Sequence, residues 1–298
     1  MSLDELRDLL QRHARPDLTT AIDGVRICRF EHTSSPESSM SGTSLAIVAQ
    51  GSKRLALGDQ VYDYGVGQYL IASVDLPVTG HVLDATVDKP TLGFGMSLEP
   101  AAIAELLLQV EAEDLPRPAG TVRPGIAVSQ APEDLLDAVV RLLRLLDRPR
   151  DRKALVPVFK REILWRLLTG EQGDAVRQLG LTDSSLSHIS RAVRWIRENY
   201  TRPFRVEDVA RLSGMSVSAF HRQFHAVTAM SPIQFQKHIR LQSARLLLAN
   251  NPNDITGVSY SVGYDSPSQF SREYRRLFGA PPSQDAVRMR DRVGAALP

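Results

Sequence analysis

One unit occurs twice in this chain. The segment "VEDVARLSGMSVSAFHRQFHAVTAMSP" aligns with "ITGVSYSVGYDSPSQFSREYRRLFGAPP", about fifty residues further on. Val206 falls on Ile255, Val209 on Val258 and Gly214 on Gly263. After a one-residue insertion near Asp265 the match resumes, with Phe220 on Phe270, Arg222 on Arg272, Phe224 on Tyr274, Val227 on Leu277 and Pro232 on Pro282. A repeat of this length requires one small supersecondary unit to be built twice.

Each copy reads as a short helix, a turn containing glycine, and a second helix. Gly214 supplies the positive φ that such a turn requires. Ser216 is placed to cap the helix that follows. Phe220, Phe224 and Val227 recur at i, i+4 and i+7 and are expected inside. Ser218, His221, Arg222 and His225 then face outward. In the second copy Phe270, Tyr274 and Leu277 are expected inside, leaving Ser268, Gln269, Ser271, Arg272, Arg275 and Arg276 exposed. This is the helix-turn-helix pattern, in which the outer face of the second helix fits the major groove of DNA. Arginine suits guanine there and glutamine suits adenine. Between the copies, "SPIQFQKHIRLQSARLLLAN" has the length and apolar content of one long helix, a strut that fixes the two units relative to each other. Entering one side of the duplex, the two reading helices should sit roughly 34 Å apart.

Charge supports a polyanion partner for this part alone. From residue 187 onward there are 16 Lys and Arg against 8 Asp and Glu, whereas residues 1–186 hold 20 against 26. The pair His221 and His225 lies on one helix face, but it is followed by no glutamate of the His-Glu-x-x-His kind. Arg222 repels a cation, and no third ligand is suitably spaced. No metal or other cofactor is expected. No run approaches a membrane span, and the charged N-terminus lacks the apolar core of a secretion signal. The single cysteine, Cys28, precludes an internal disulfide, and a cytoplasmic location is the simplest expectation.

Upstream the pattern has a different period. "VRICRF", "SLAIVAQ", "KRLAL", "VYDY", "QYLIAS", "LPVTGHV" and "TLGFGM" read as strands, with turns at "QGSK" and "LGDQ". Short strands at this spacing suit a sandwich or a barrel. Helical spacing follows in "EPAAIAELLLQVEAE", "APEDLLDAVVRLLRLLDRP" and "KALVPVFKREILWRLLTG", with "DLPRPAGTVRPG" as a connector between the first two. In the second of these, Leu135, Leu136, Val139, Val140, Leu142, Leu143 and Leu146 form a stripe too broad to face water. It must pack on its own domain or on a second copy of the chain, as a homodimer.

With "SGMSVSAFHRQFHAVTAMSPIQFQKHIRLQSARLLL" and "VGYDSPSQFSREYRRLFGAPP" in view, the C-terminal hundred residues resemble the AraC/XylS family of bacterial transcription regulators. The family's base-contacting positions fall on Ser218, His221 and Arg222 in the first unit and on Ser268, Gln269 and Arg272 in the second. One departure stands after "APPS", where the family commonly has an aromatic residue and an arginine and this chain has Gln284 and Asp285. The stretch "GTSLAIVAQGSKRLALGDQVYDYGVGQYLIASVDLPVTGHV" is similar to the cupin-like N-terminal domain of one AraC subgroup, which implies a small β-barrel sensor.

The expectation is therefore an α+β chain: a cupin-like β-barrel over 1–98, a helical connector and dimerisation region over 99–186, and an all-α DNA-binding domain over 187–290. Its expected partners are promoter or operator DNA, a small-molecule effector and, for an activator, RNA polymerase; no membrane is involved. The N-terminal domain is otherwise a ligand-independent dimerisation module or a metal-free cupin enzyme. Metal-dependent cupins carry His-x-His and a nearby glutamate, whereas His13, His32 and His81 are not so spaced. An enzyme is not expected. Tyr62, Tyr64, Tyr69, His81, Phe94 and Met96 are the expected lining of the effector pocket, weighed against ordinary core positions. Cys28 is expected to be an inert thiol.

Overall fold

The computed structural model describes residues 2–110, 115, 124–181 and 184–295. The connector over 114–125 lies mostly outside the described residues. The chain separates into two compact units, Met1–Ser190 with Arg222–Ala229, and Arg191–His221 with Met230–Pro298.

The first unit is built on two antiparallel sheets. Its strands are β1 (Val25–Phe30), β2 (Glu37–Ser41), β3 (Ser44–Gln50), β4 (Ser52–Leu57), β5 (Gln60–Gly65), β6 (Gln68–Ala72), β7 (Leu76–Asp84), β8 (Thr91–Ser97) and β9 (Ile126–Gln130). One sheet runs β1-β8-β3-β6-β9 and the other β2-β7-β4-β5. The expected barrel is corrected here: β1 and β9 edge the first sheet, β2 and β5 the second, and among the described residues no ladder joins the two. The chain passes from one sheet to the other at Gly51. This residue has φ +79°, and an added Cβ would lie 2.0 Å from the Thr91 hydroxyl oxygen. Register shifts on both sides of it, between Val48 and Gln50 and between Ser52 and Lys53, turn β4 out of the plane of β3. Two strands were not expected from the sequence. The polar β2 carries no apolar alternation, and β9, which pairs with β6, comes from beyond the barrel's expected end at residue 98.

Helices cover one face of the larger sheet. They are α1 (Ser2–His13), α2 (Pro100–Leu107), α3 (Glu133–Arg144) and α4 (Arg152–Thr169), followed by α5 (Gly173–Gly180). The broad leucine stripe of α3 is buried in one cluster with α1, α4 and the strand residues Ile27, Leu45, Ile47, Ile71 and Leu92. It packs on its own domain. Burying a leucine side chain of this kind stabilises by about 1.5–3 kcal/mol.

The C-terminal region is helical throughout. It comprises α6 (Ser185–Glu198), α7 (Val206–Leu212), α8 (Val217–Thr228), α9 (Pro232–Asn250), α10 (Ile255–Ser261), α11 (Pro267–Phe278) and α12 (Pro282–Ala295). The linker is one helix, as expected. α9 starts at a capping box in which Ser231 accepts from the Gln234 amide and Gln234 accepts from the Ser231 amide. Its buried residues Leu241, Ala244 and Leu248 share a core with Val258, Phe270, Tyr274 and Ala286. Among the described residues no helix is long and apolar enough to cross a membrane.

Candidate nucleic-acid interface

The repeat persists at the level of single hydrogen bonds. In the turn after α7, the amides of Ser213, Gly214 and Met215 donate to the carbonyls of Val209, Arg211 and Ala210 at 3.0, 2.9 and 2.9 Å. In the turn after α10, the amides of Val262, Gly263 and Tyr264 donate to the equivalent carbonyls of Val258, Tyr260 and Ser259 at 3.1, 3.0 and 3.0 Å. Both turns pivot on a left-handed glycine, Gly214 at φ +73° and Gly263 at φ +90°. Each following helix starts at a serine whose hydroxyl accepts an amide three residues on: Ser216 from Ala219 at 3.4 Å, Ser266 from Gln269 at 3.3 Å.

These turns determine which faces are buried. Phe220, Phe224 and Val227 are inside, as are Phe270 and Tyr274, while Leu277 is half-buried. The opposite faces are open. Ser218, His221, Arg222 and His225 on α8 are all exposed, as are Ser268, Gln269, Arg272, Arg275 and Arg276 on α11; Ser271 is half-buried. Among the described residues, Arg222, Arg272, Arg275 and Arg276 make no ion pair or side-chain hydrogen bond, so their guanidinium groups are free for an outside acceptor. Gln269 is the exception: its Nε2 donates to Glu273 at 3.2 Å. Glu273 carries no signal in the sequence, and Asp285 stands out there only as a departure from the family pattern; each is held by a residue of α9 about forty positions away. Among the described residues no group of three His, Cys, Asp or Glu is arranged to hold a metal ion.

In the first unit the six residues expected around a pocket divide three ways. Tyr69, Phe94 and Met96 lie on the face of the larger sheet that packs against the helices, within its hydrophobic core. His81 stands opposite Arg54 on the outer face of the smaller sheet, beside the Arg54–Asp63 ion pair. Only Tyr62 and Tyr64 lie on the face of the smaller sheet that is turned toward the larger one, opposite Leu55 and Lys53 in register. There Lys53 reaches across, its Nζ 4.9 Å from the centre of the Phe30 ring and 3.6 Å from where a Cβ on Gly93 would stand. Tyr64 is buried beside the half-buried Cys28, and burial above all pushes its hydroxyl up to about 12. The sequence reading missed Lys53, although its period-2 spacing with Leu55 and Leu57 places it on the inner face.

Comparison with known proteins follows the same division. Residues 21–175 match the family described as AraC-type transcriptional regulator N-terminus, and residues 209–286 match a helix-turn-helix domain family. The virulence regulon transcriptional activator VirF of Yersinia enterocolitica is 29% identical over 154 residues, 50% of this chain and 55% of that protein. The HTH-type transcriptional activator RhaS of Salmonella schwarzengrund is 27% identical over 161 residues, 54% of this chain and 57% of that protein. The chain spans about half the length of the curated relatives it matches. Among solved structures, the apo form of a ToxT point variant from Vibrio cholerae superposes with a TM-score of 0.55 at 10% identity, over 90% of this chain and 99% of that one. Wild-type ToxT bound to an unsaturated fatty acid gives 0.54 at 11% identity, over 88% and 93%. At these identities the likeness is one of fold.

Proposed function

The chain belongs to the AraC family of transcriptional regulators, and we propose that it binds promoter or operator DNA by sequence and is itself controlled by a small molecule in its N-terminal domain. Two helix-turn-helix units do the binding, α7–α8 and α10–α11. Ser218, His221, Arg222 and Ser268, Gln269, Arg272 face base edges in successive major-groove segments, while His225, Arg275 and Arg276 face the phosphates. The observation that carries this reading is the pair of exposed, cation-bearing helix faces set behind two matching turns. The named relatives VirF and RhaS are transcriptional activators. By that likeness this chain acts in the cytoplasm as an activator in contact with RNA polymerase, and it catalyses no reaction.

The effector, in this reading, occupies the space between the two sheets. Lys53 is the anchor there: among the described residues its ammonium has no anionic partner, only the Phe30 face. ToxT structures bound to an unsaturated fatty acid and to an arylbutenoic acid support an acid with an apolar tail as the ligand class. Such a ligand acts by binding one arrangement of the protein better than another and shifting their populations.

The test is competition binding of the full chain to DNA flanking its own gene, with scrambled duplexes as competitors. A sequence-specific regulator keeps its preference at raised salt. A non-specific polyanion binder loses affinity steeply and shows no preference. Repeating the measurement with a long-chain fatty acid, on wild type and on Lys53→Gln, tests the effector site. The acid is expected to change DNA affinity in wild type only.

A further inference from the structure

The second unit contains a device that the first lacks, and its meaning rests on the DNA-reading proposal above. Glu273, on α11, is nearly buried, with 14% of its side chain exposed. Three groups converge on its carboxylate. Lys237 of α9 donates to Oε1 at 2.8 Å, Tyr264 of the turn donates to Oε2 at 2.8 Å, and Gln269, one helical turn earlier, donates to Oε1 at 3.2 Å. Burial alone would raise the Glu273 pKa, but the three hydrogen bonds outweigh it and hold the group below the ordinary glutamate range. The carboxylate is thus favoured in its charged form and held by the strut and by the turn.

Of the four groups Gln269 is exposed and Lys237 is partly so, while Tyr264 is buried. A glutamine amide has two N–H donors and one carbonyl acceptor. With one N–H committed to Glu273, the other N–H and the carbonyl oxygen remain for an outside partner. Adenine offers the complementary pair in the major groove, the N7 acceptor and the N6 amino donor. A free glutamine must lose rotamer freedom on reaching a base, and it can also flip its amide and accept a different partner. In the first unit the aligned positions are Ala219 and Gln223, so there is no equivalent of this arrangement.

We infer that Glu273 is a positioning residue for DNA reading: it holds the Gln269 amide in one orientation, so that the second unit selects an A·T pair at the position Gln269 faces. Glu273 does not touch DNA and acts through Gln269.

The experiment measures binding of the full chain to duplexes carrying each of the four base pairs at that position, which is located as the one where Gln269→Ala abolishes discrimination. Glu273→Ala is expected to lower the preference for A·T there roughly five- to tenfold while leaving preferences at other positions intact. Glu273→Gln, which keeps an acceptor, should retain most of it. In a Gln269→Ala background, Glu273→Ala should cost no further discrimination. Uniform weakening at every position, an unchanged preference, or additive losses in the double variant would each overturn the inference. Should Glu273→Ala fail to fold, side-chain amide relaxation of Gln269 in the free wild-type protein decides: an ordered amide is expected, and fast disorder overturns the idea. A wild-type chain with no sequence preference defeats the parent reading and this one together. Intact preference in Glu273→Ala defeats this one alone.

Discussion

The hydroxyl of Tyr274 donates to the carboxylate of Asp285 at 2.8 Å, joining two buried side chains eleven residues apart. Arg245 of α9 donates to the same carboxylate through Nε at 2.9 Å and Nη2 at 3.3 Å. Its guanidinium also lies 4.8 Å from the centre of the Phe278 ring. Asp285, one of the two residues noted after "APPS", therefore fastens α12 to α9 and α11.

Removing Asp285 should accordingly cost more than removing its partner hydroxyl. Asp285→Ala leaves the Arg245 charge, in its largely buried setting, unpaired and is expected to destabilise by about 3–5 kcal/mol. Tyr274→Phe removes one hydrogen bond and should cost about 1–2 kcal/mol. Thermal melts followed by circular dichroism will rank the two, and equal losses would contradict the central place given to the carboxylate.

If α8 and α11 read DNA as proposed, their arginines should divide by role. Arg222→Ala and Arg272→Ala are each expected to cost about 1–3 kcal/mol at the cognate site and to relax base choice at one position. Arg275→Ala should weaken all sequences alike and reduce the salt slope by about 1. Titrations at several salt concentrations, on cognate and scrambled duplexes, separate the two behaviours.

Stability of the C-terminal unit should fall on mild acidification. Burial lowers the pKa of His238 on α9, and the nearby Arg276 guanidinium lowers it further. The folded chain therefore takes up this proton only at a lower pH than the unfolded chain, which takes it up near pH 6.5. Stability is present above that pH and is lost as pH falls toward the lower folded value. His238→Gln should flatten the dependence of melting temperature on pH between about 7 and 5. Glu273, also lowered, contributes its own loss only in the carboxylate range.

Two left-handed glycines should respond differently to a methyl group. Gly279, at φ +77°, closes α11 with open space around it, so Gly279→Ala should cost about 1–2 kcal/mol of backbone strain. At Gly263 the φ is +90° and an added Cβ would lie 2.1 Å from the Thr201 carbonyl oxygen. Gly263→Ala must move backbone and should cost clearly more. Denaturant melts of the two variants make the comparison.

The two helical units were legible because their information is local. Gly214 and Gly263, the capping serines, and the aromatic spacing of Phe220–Phe224 and Phe270–Tyr274 all act within a few residues. Periodicity therefore suffices to say which face is buried. The strands β1 and β3 to β8 were legible for the same reason: short apolar and β-branched runs between turns identify a strand wherever it ends up.

Which side of a strand packs on the helices and which side faces the other sheet was decided only in three dimensions. In β8 the large residues Leu92, Phe94 and Met96 alternate with Thr91, Gly93 and Gly95, but alternation separates the two faces without saying which one the helices cover. Tyr69, Phe94 and Met96 could not be told from Tyr62 and Tyr64 on composition, yet the first three pack on helices and the last two lie on the face of the smaller sheet that is turned toward the larger one. The strand β9, the meeting of Lys53 with Phe30, and the buried carboxylates Glu273 and Asp285 all depend on partners distant in sequence. Neighbouring residues dictate helix, strand and turn through backbone sterics and side-chain period. Pairings across the chain are selected by packing and by the need to satisfy buried charge, and only the folded chain reveals them.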